Sequence, residues 1–496
     1  MTDQPTLSKS TFLKGDQCSK RLYLSAYNRD LKSPPTDQQQ AIFAAGIEVG
    51  DLARDLFPGG INCRSEEQNE LTVQLETTKK AIEDGATVLY EAAFVFDEVF
   101  VAVDILVKKG EVWNAYEVKS TTSIKKNHIR DVAVQYYVLN GAGISIERFM
   151  LVHMNNKYVK SGNINLKKLF KQVNILAKAK AQTTELPYEI KAQKKILKMK
   201  SVPNIEIGAQ CKSPYPCPFI AHCWSEVPSP SVMDLTHAGK KAWVWWNKGI
   251  RHLKDIPKSE GLSKSQSMQI DVAISGKPFV NVKGIRLFLK TLKYPLMHLD
   301  FETVNPAIPR FKDTKPFQAL VFQYSLHIQN TVGAEAEHHE FIAPIGKDPR
   351  KPLLDKLLAD TQGEGDILVY NIHFERSVLS DLAKTFPKHK KEIDQRISRL
   401  KDLMEPFNER FYMDPAMNGL TSIKSVLPAL VPELSYSDLE IKEGGTASMT
   451  YMLMMNENFE GDRASTIDAL LAYCKMDTWA MVKILEKLQS VVRIQG

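Results

Sequence analysis

Three apolar, β-branched segments follow one another closely and limit the folds open to the first third of the chain. They cover Val88–Phe96, Val99–Val107 and Val112–Val118. Their lengths and composition predict β-strands, and the turn Lys108-Lys-Gly-Glu111 predicts that the last two form a hairpin. A sheet built from such strands must bury at least one face against another element.

Helical patterns on both sides of these strands supply that cover. They run up to about Phe57 and again over about Lys126–Leu139, and a short strand follows at Phe149–His153. The order helix, three strands, helix, strand predicts an α/β domain built around a mixed sheet.

A second set of elements begins near residue 291. It contains apolar runs that predict strands, a helix between two of them, and a long terminal helix. In chain order these are Leu296–Glu302, Leu320–Ile328, His338–Ile342, the helix Leu353–Ala359, the strand Ile367–Tyr370 and the helix from about Arg463 to Leu488. This order again predicts an α/β domain.

The 496 residues favour two or three domains. We expect a first domain over 1–228, a partly helical connector over 229–290 and a second domain over 291–496. The connector contains Trp243, Trp245 and Trp246. Tryptophans this close are more often an anchor for packing than a platform for stacking bases, so we expect them to be buried.

Composition narrows the class of protein. Apolar residues make up 43% and charged residues 25%, as in ordinary globular proteins. The sequence has neither an apolar run long enough to cross a bilayer nor the apolar stretch of a secretory signal, which leads us to expect a cytoplasmic protein without membrane contact. No feature predicts the oligomeric state.

Positive charge is concentrated between Lys157 and Lys200. This lysine tract holds twelve lysines and two acids, Glu185 and Glu189, in a chain of net charge +7. Concentrated positive charge is typical of contact with a phosphate backbone. The alternative is a solvated helix face above a buried apolar stripe. That stripe would consist of Leu166, Leu169, Phe170, Val173, Ile175 and Leu176.

The first group of candidate catalytic residues lies in the hairpin. Asp104 interrupts the apolar run VFVAVDILV, and Glu117 and Lys119 end the next strand. Residues two apart on a strand share a face, so Glu117 and Lys119 point together and the hairpin can bring Asp104 beside them. Two carboxylates can hold a divalent cation, while a lysine offsets charge developing on a phosphate. Glu91 is a further candidate ligand.

This arrangement resembles the RecB-like branch of the PD-(D/E)XK nucleases. In that branch an aspartate in one strand precedes an (D/E)xK motif in the next, and a following helix carries glutamine and tyrosine. The segment RDVAVQYYVL supplies Gln135 here, although Leu139 stands where the family places its tyrosine. Gly50 occupies the position of the histidine found in many relatives. The resemblance implies a restriction-endonuclease-like fold and hydrolysis of phosphodiester bonds.

Four cysteines form the second group. Cys211, Cys217 and Cys223 are spaced evenly in QCKSPYPCPFIAHCW, and Cys18 lies far upstream. Three clustered thiols in a reducing compartment suit a soft metal, and a fourth completes a tetrahedral site. Cys63 and Cys474, the remaining two, are expected to be ordinary buried thiols.

One cysteine before and three after a nuclease core resembles the iron–sulfur subgroup of RecB-like nucleases. The resemblance implies a [4Fe–4S] cluster that fastens the two ends of the domain. Zinc stays open as the alternative metal.

Acidic residues of the second domain form the third group. Asp300 and Glu302 lie in HLDFET at strand spacing, Glu375 follows the strand near Val369, and Asp477 lies in the terminal helix. Tyr473 shares a helix face with Asp477. If separated segments bring four acids together, cations must offset their repulsion, and a two-metal site would promote an in-line phosphoryl displacement.

These motifs resemble the DEDD 3′–5′ exonucleases, which have a ribonuclease-H-like fold, and Y-x-x-x-D resembles the tyrosine-bearing subgroup. The resemblance implies Mg²⁺ or Mn²⁺ at the four acids, with Tyr473 orienting the attacking water. Asn371-Ile-His-Phe374-Glu375 replaces the usual N-x-x-F-D, so glutamate stands where aspartate is common. Phe374 is expected to pack in the core.

The two halves together resemble a bacterial family that joins a RecB-like half to a DFET-bearing half. The leading hypothesis is a metal-dependent nuclease that acts on DNA ends or single strands at two sites. One alternative is a nucleic-acid-binding scaffold in which one or both sites are inactive. Another is an RNA-processing 3′–5′ exonuclease that uses only the second domain.

Overall fold

A computed structural model of the chain describes residues 7–64, 70–257, 260–455 and 459–494. It is a mixed α/β protein with several sheets. The contacts between Cα atoms divide it into two compact units. The first unit contains the residues up to Glu226 together with Pro306–Phe317, and the second contains Val227–Asn305 and Gln318–Gly496. The tryptophan-bearing segment therefore packs with the second unit.

The strands of the first unit form one mixed sheet. In chain order they are β1 Leu7–Ser8, β2 Ile61–Asn62, β3 Val88–Phe96, β4 Val99–Lys109, β5 Val112–Lys119, β6 Ile146–Met154 and β7 Phe170–Asn174. The spatial order is β2-β3-β4-β5-β6-β7, and β1 pairs with β4. β3, β4 and β5 are antiparallel neighbours, whereas β6 lies parallel to β5.

Helices cover both faces of this sheet. They are α1 Lys9–Gln17, α2 Ser19–Tyr27, α3 Asp37–Arg54, α4 Glu70–Glu83, α5 Lys126–Gly141, α6 Leu166–Leu169, α7 Leu176–Lys180, α8 Leu186–Leu197 and α9 Ile220–Cys223. Val132 and Leu139 of α5 pack in one core cluster, and Val49 and Ala53 of α3 pack in another with Ala307 and the sheet. Burial on both faces explains why these strands are nearly continuous apolar runs.

The second unit contains a five-stranded sheet and a separate pair of short strands. In chain order the strands of this unit are β8 Phe279–Val280, β9 Leu296–Val304, β10 Leu320–Gln329, β11 Glu337–Ile342, β12 Ile367–Val369, β13 Leu400–Asp402 and β14 Tyr412–Met413. The sheet has the order β11-β10-β9-β12-β13, and β8 pairs separately with β14. β9 is antiparallel to β10 and parallel to β12.

The helices of this unit lie on the two faces of the sheet and around β8. They are α10 Lys240–Asn247, α11 Lys264–Ser275, α12 Val282–Lys290, α13 Arg350–Asp360, α14 Ile372–Thr385, α15 Lys390–Ser398, α16 Glu405–Asn408, α17 Ile423–Leu430, α18 Gly444–Met454 and α19 Arg463–Ile494. Leu299 and Phe301 of β9 pack with α13 and α14. The opposite face of β9, which carries Asp300 and Glu302, faces α19.

The strands and the hairpin that the sequence predicts are present, within three residues of the expected ends. The long terminal helix is present too, but it continues six residues past Leu488 to Ile494. The hairpin turn falls at Gly110-Glu111, where Gly110 adopts a φ of 62°, a left-handed conformation that favours glycine. Trp245 and Trp246 are buried, as expected for a packing anchor, whereas Trp243 is half-buried. None of the helices in the described ranges is long and apolar enough to cross a membrane.

The lysine tract is not one continuous helix. The strand β7 interrupts it between α6 and α7, so a single apolar stripe beneath the lysines does not form. Leu169, Phe170, Ile175 and Leu176 are buried as that alternative requires, but Val173 is 37% exposed. Alternation along β7 turns successive side chains to opposite faces, which a helical reading of the tract does not allow for.

Candidate functional site

The first candidate site forms where β4 changes its neighbour. β1 pairs with β4 at Val99 and Phe100, and β5 pairs with it only from Ile105 onward. Asp104 lies between these two pairings, in the gap where β1 and β5 diverge. Its Oδ2 accepts a hydrogen bond from the backbone N–H of Val118 at 2.6 Å. A carboxylate thus fills a place where the ladder of the sheet is interrupted.

Glu117 and Lys119 lie together at the end of β5, as their spacing predicts. The Nζ atom of Lys119 lies 2.5 Å from Oε1 of Glu117 and 2.6 Å from Oδ2 of Asp131. Gln135 donates through Nε2 to Oε2 of Glu117 at 2.7 Å and to Oδ1 of Asp131 at 3.0 Å. The predicted residues therefore converge, and Gln135 fixes the orientation of the Glu117 carboxylate.

Two residues of this site, Asp131 and Lys9, are not predicted from the sequence. Asp131 lies one helical turn before Gln135 on α5, so the i, i+4 spacing could have indicated it. Lys9 follows β1 directly and bridges Oε1 of Glu117 at 3.1 Å and Oδ1 of Asp131 at 3.0 Å. No local pattern marks Lys9, because only the pairing of β1 with β4 brings it to the site.

The electrostatics of the site separate Asp104 from its neighbours. Burial and the charge of Glu117 raise the pKa of Asp104 to about 8. Burial also disfavours the charged form of Asp131, but the positive charges of Lys119 and Lys9 outweigh the effect of burial and lower the pKa of Asp131. Burial likewise disfavours charge on Lys119, yet Asp131 and Glu117 raise its pKa. Without a cation, Asp104 thus favours its protonated form, whereas Asp131 and Lys119 favour their charged forms.

Glu91 lies on β3 opposite Asp104, between the paired positions Tyr90–Ile105 and Ala92–Val103. Its φ of 53° is rare for a residue other than glycine. Its Oε1 lies 3.1 Å from Nη2 of Arg54, and its charge contributes to the raised pKa of Asp104. The structure brings this candidate ligand next to the site but pairs its carboxylate with arginine.

The four predicted cysteine ligands line one cavity of the first unit. Cys18 lies at the junction of α1 and α2, and Cys211, Cys217 and Cys223 come from the segment around α9. All are free thiols, and the N–H of Cys217 donates to the carbonyl of Cys211 at 2.8 Å. The cavity also contains Arg21, whose Nε is buried without a hydrogen-bond partner.

Burial disfavours the thiolate form of two of these cysteines. Burial raises the pKa of Cys217, while Arg21 acts in the opposite direction. Burial also raises the pKa of Cys223, against the charge of Lys20. Four thiolates could form here only if a cation or cluster compensated their charge.

The second candidate site lies between β9 and α19. One oxygen from each of Asp300, Glu302 and Asp477 lies within 4.8 Å of the others. Among the described residues, this is the one group of three or more Asp, Glu, His or Cys side chains whose ligand atoms lie that close together. Three carboxylates from β9 and α19 therefore meet as the motifs predict.

The fourth predicted acid, Glu375, does not meet this spacing, whereas Tyr473 lines the same cavity as the three acids. Glu375 lies in the first turn of α14; it is buried, and its Oε2 has no hydrogen-bond partner. Tyr473 lies one turn before Asp477 on α19, and its hydroxyl lowers the pKa of Asp477. The hydroxyl of Tyr436 donates to Oδ1 of Asp477 at 2.6 Å. The sequence gives no sign of Tyr436, which lies in a loop far from the motifs.

The pKa of each of the four acids of this site is raised above its usual value. Burial and the neighbouring carboxylates raise the pKa of Asp300 and of Glu302 well above their usual range. Burial raises the pKa of Asp477 to about 6, although the hydroxyls of Tyr436 and Tyr473 act in the opposite direction. Burial and the charge of Asp300 raise the pKa of Glu375 to about 9. Lys424 acts on Glu302 and Asp477 in the opposite direction. The site is thus short of positive charge.

Two side chains differ from expectation. Phe374 does not pack in the core: it is 37% exposed and lines the cavity with Asp300 and Glu302. The buried face of α14 is formed by Glu375, Val378 and other residues, which turns Phe374 toward the opening. Cys474 is buried as predicted, but it also contacts Asp300, with its Sγ 3.6 Å from Oδ2.

One sequence-family model matches the part of the chain that carries three of these acids. Residues 297–422 match the family model "Domain of unknown function (DUF2779)". The match includes Asp300, Glu302 and Glu375 and ends before Tyr473 and Asp477.

Three mycoplasmal proteins, each described as uncharacterized, also align with the chain. One from Mycoplasma pneumoniae is 26% identical over 39% of this chain and 32% of its own length. One from Mycoplasma genitalium is 24% identical over 41% and 33%, and one from Ureaplasma parvum is 26% identical over 40% and 32%. The chain thus spans about a third of the length of these relatives.

Proposed function

We propose that the protein is a metal-dependent nuclease that hydrolyses phosphodiester bonds of DNA at two sites. The observation that carries this proposal is the convergence of Asp300, Glu302 and Asp477 within 4.8 Å, with Glu375 beside them. Buried carboxyl groups this close repel one another unless they are protonated or share a cation. Oxygen ligands of this kind suit Mg²⁺ or Mn²⁺.

At the second site the chain's own side chains divide the work. Asp300, Glu302, Asp477 and Glu375 would hold the cations, which supply Lewis-acid polarisation of the phosphate oxygens. Tyr473 would orient the attacking water, because it lines the same cavity as Asp300, Glu302 and Asp477. Phe374, exposed at the mouth of the cavity, is suited to contact a nucleic-acid base. This division agrees with a DEDD-type exonuclease of ribonuclease-H-like fold.

At the first site Asp104 and Glu117 would hold a divalent cation, with Glu91 nearby. Lys119 is held by Glu117 and Asp131, so its ammonium is positioned to offset charge on a phosphate oxygen. Gln135 keeps the Glu117 carboxylate in place. These contacts support a PD-(D/E)XK site of the RecB-like type.

The cysteine cavity supports a metal cofactor for the first unit. Cys18, Cys211, Cys217 and Cys223 line this cavity together and would bind a [4Fe–4S] cluster, with zinc as the alternative metal.

A second candidate function is a nucleic-acid-binding scaffold in which the first site does not cleave. The observation that favours it is the pairing of Lys9 and Lys119 with Glu117 and Asp131, which already neutralises both carboxylates. In that case the lysine tract would bind DNA or RNA, and any trimming would come from the second site.

The test is digestion of end-labelled DNA and RNA, single- and double-stranded, with Mg²⁺ or Mn²⁺ and with EDTA as the control. We expect metal-dependent cleavage of DNA. Cleavage of RNA alone, lost in Asp300→Ala, would favour an RNA-processing exonuclease. Binding without cleavage would favour the scaffold.

A further inference from the structure

The lysine tract is divided by the fold into lysines with partners and lysines without. Lys194 lies 2.7 Å from Oδ1 of Asp97, and the ammonium of Lys180 lies 5.3 Å from the ring centre of Tyr136. In contrast, Lys157, Lys167, Lys168 and Lys171 are exposed and line one open cavity, which we call the lysine cavity.

No acidic side chain of the described residues lines the lysine cavity; three asparagines, a serine, a tyrosine, a glycine and two apolar residues complete its wall. None of its four ammonium groups pairs with a carboxylate of the described residues. Four cations without counter-charge repel one another, so a polyanion would relieve this repulsion. The lysine cavity therefore has the charge of a site for phosphate groups.

The backbone that carries these lysines is held in place by side-chain hydrogen bonds. Asn155 accepts from the N–H of Lys157 at 3.1 Å and donates to the carbonyl of Lys168 at 2.9 Å, so it ties both ends of the loop together. Asn165 accepts from the N–H of Lys168 at 3.1 Å. Such ordering lowers the entropy lost when a ligand binds.

The sheet connects this cavity to the first candidate site. Lys119 of β5 pairs with His153 of β6, and His153 pairs with Lys171 of β7. Two strand spacings separate Lys119 from Lys171, so their Cα atoms lie about 10 Å apart. Phosphates along one strand rise about 3.4 Å each in a duplex and lie further apart in an extended single strand. A strand whose scissile phosphate lies at Lys119 would thus place phosphates two or three nucleotides away at the lysine cavity.

We propose that the lysine cavity binds the phosphate backbone of the DNA strand that the first site cleaves. This inference rests on the proposed nuclease function of that site. It assigns DNA contact to Lys157, Lys167, Lys168 and Lys171 and not to the lysines of α8. The binding is independent of base sequence, because the cations contact only phosphates.

Two matched variants test this assignment. The cavity variant replaces Lys157, Lys167, Lys168 and Lys171 with glutamine. The control variant makes the same change at Lys191, Lys195, Lys198 and Lys200, which belong to the same tract and are equally exposed. Each removes four positive charges from the surface, and circular dichroism checks that each is folded.

Binding is measured as fluorescence anisotropy of a labelled oligothymidylate in EDTA over a range of salt concentrations. Each phosphate contact contributes about −0.7 to the slope of log affinity against log salt for a single strand, so the cavity variant should lose about three units of slope. The control variant should keep the wild-type slope. An unchanged slope in the cavity variant, or an equal loss in both variants, would overturn the assignment.

The experiments distinguish an error in the cavity assignment from an error in the proposed nuclease function of the first site. If the cavity variant binds like wild type while Asp104→Ala abolishes a cleavage activity, the cavity assignment is wrong and the nuclease proposal stands. If the cavity variant loses binding while Asp104→Ala cleaves like wild type, the first site is not a nuclease and the cavity stands as a DNA-binding surface.

Discussion

Glu375 allows the sharpest test of the second site, because its carboxyl group is buried and its Oε2 has no hydrogen-bond partner. Burial and Asp300 raise its pKa from 4.5 to about 9. An acid whose pKa is raised in the folded state binds its proton more tightly there than in the unfolded chain. The metal-free protein should therefore lose stability as the pH rises through this interval.

The magnitude follows from the pKa shift. Each pH unit between 4.5 and 9 costs the native state about 1.4 kcal/mol, which amounts to about 6 kcal/mol by pH 9. Glu375→Gln keeps the shape of the side chain but cannot ionise. In EDTA this variant should match wild type near pH 5 and exceed its free energy of unfolding by up to about 6 kcal/mol at pH 9.

The assay is urea denaturation of the metal-free protein at several pH values, followed by tryptophan fluorescence. Glu364→Gln is the control, because Glu364 is exposed and should change nothing. Saturating Mn²⁺ should reverse the order, since wild type gains stability from a bound cation and Glu375→Gln loses a ligand. Glu375→Asp should keep the gain. Identical pH dependence of wild type and Glu375→Gln in EDTA would refute the reasoning.

Three further outcomes test the first unit. Burial and Glu117 raise the pKa of Asp104 to about 8, so Mn²⁺ binding there should release a proton and its affinity should fall about tenfold per pH unit below pH 8. Calorimetry in two buffers of different ionisation enthalpy measures the released proton. Lys9→Met should raise Mn²⁺ affinity, because Lys9 shares Glu117 and Asp131 with any cation, and an unchanged affinity would contradict this. Anaerobically purified protein should contain iron and sulfide, and Cys18→Ser should lose both and unfold at a lower temperature; zinc without iron would assign the other metal.

The sequence predicts the fold well where its pattern has one dominant period. The strands Val88–Phe96 and Leu296–Val304 are apolar and bounded by turns, so their position follows from local chemistry. The lysine tract is harder, because its lysines and apolar residues fit a helix as well as the helix–strand–helix order that forms. Long-range pairing of β7 with β6 decides between them.

The candidate sites are predictable only as far as their ligands lie in local motifs. Asp300 and Glu302 are two apart on one strand, and Tyr473 and Asp477 are four apart on one helix, so spacing alone pairs them. Lys9 reaches Glu117 across more than a hundred residues, through strand pairing that no local pattern encodes.

The central claim is that the chain contains two separate nuclease sites. The most direct measurement is product analysis by gel of end-labelled DNA treated with Mg²⁺ or Mn²⁺ and wild type, Asp104→Ala, Asp300→Ala or the double variant. Because a site that loses a carboxylate holds its cation poorly, each single variant should lose a different set of products by orders of magnitude. Mononucleotides should disappear in Asp300→Ala, and the double variant should be inactive. Full activity in the double variant would contradict the account.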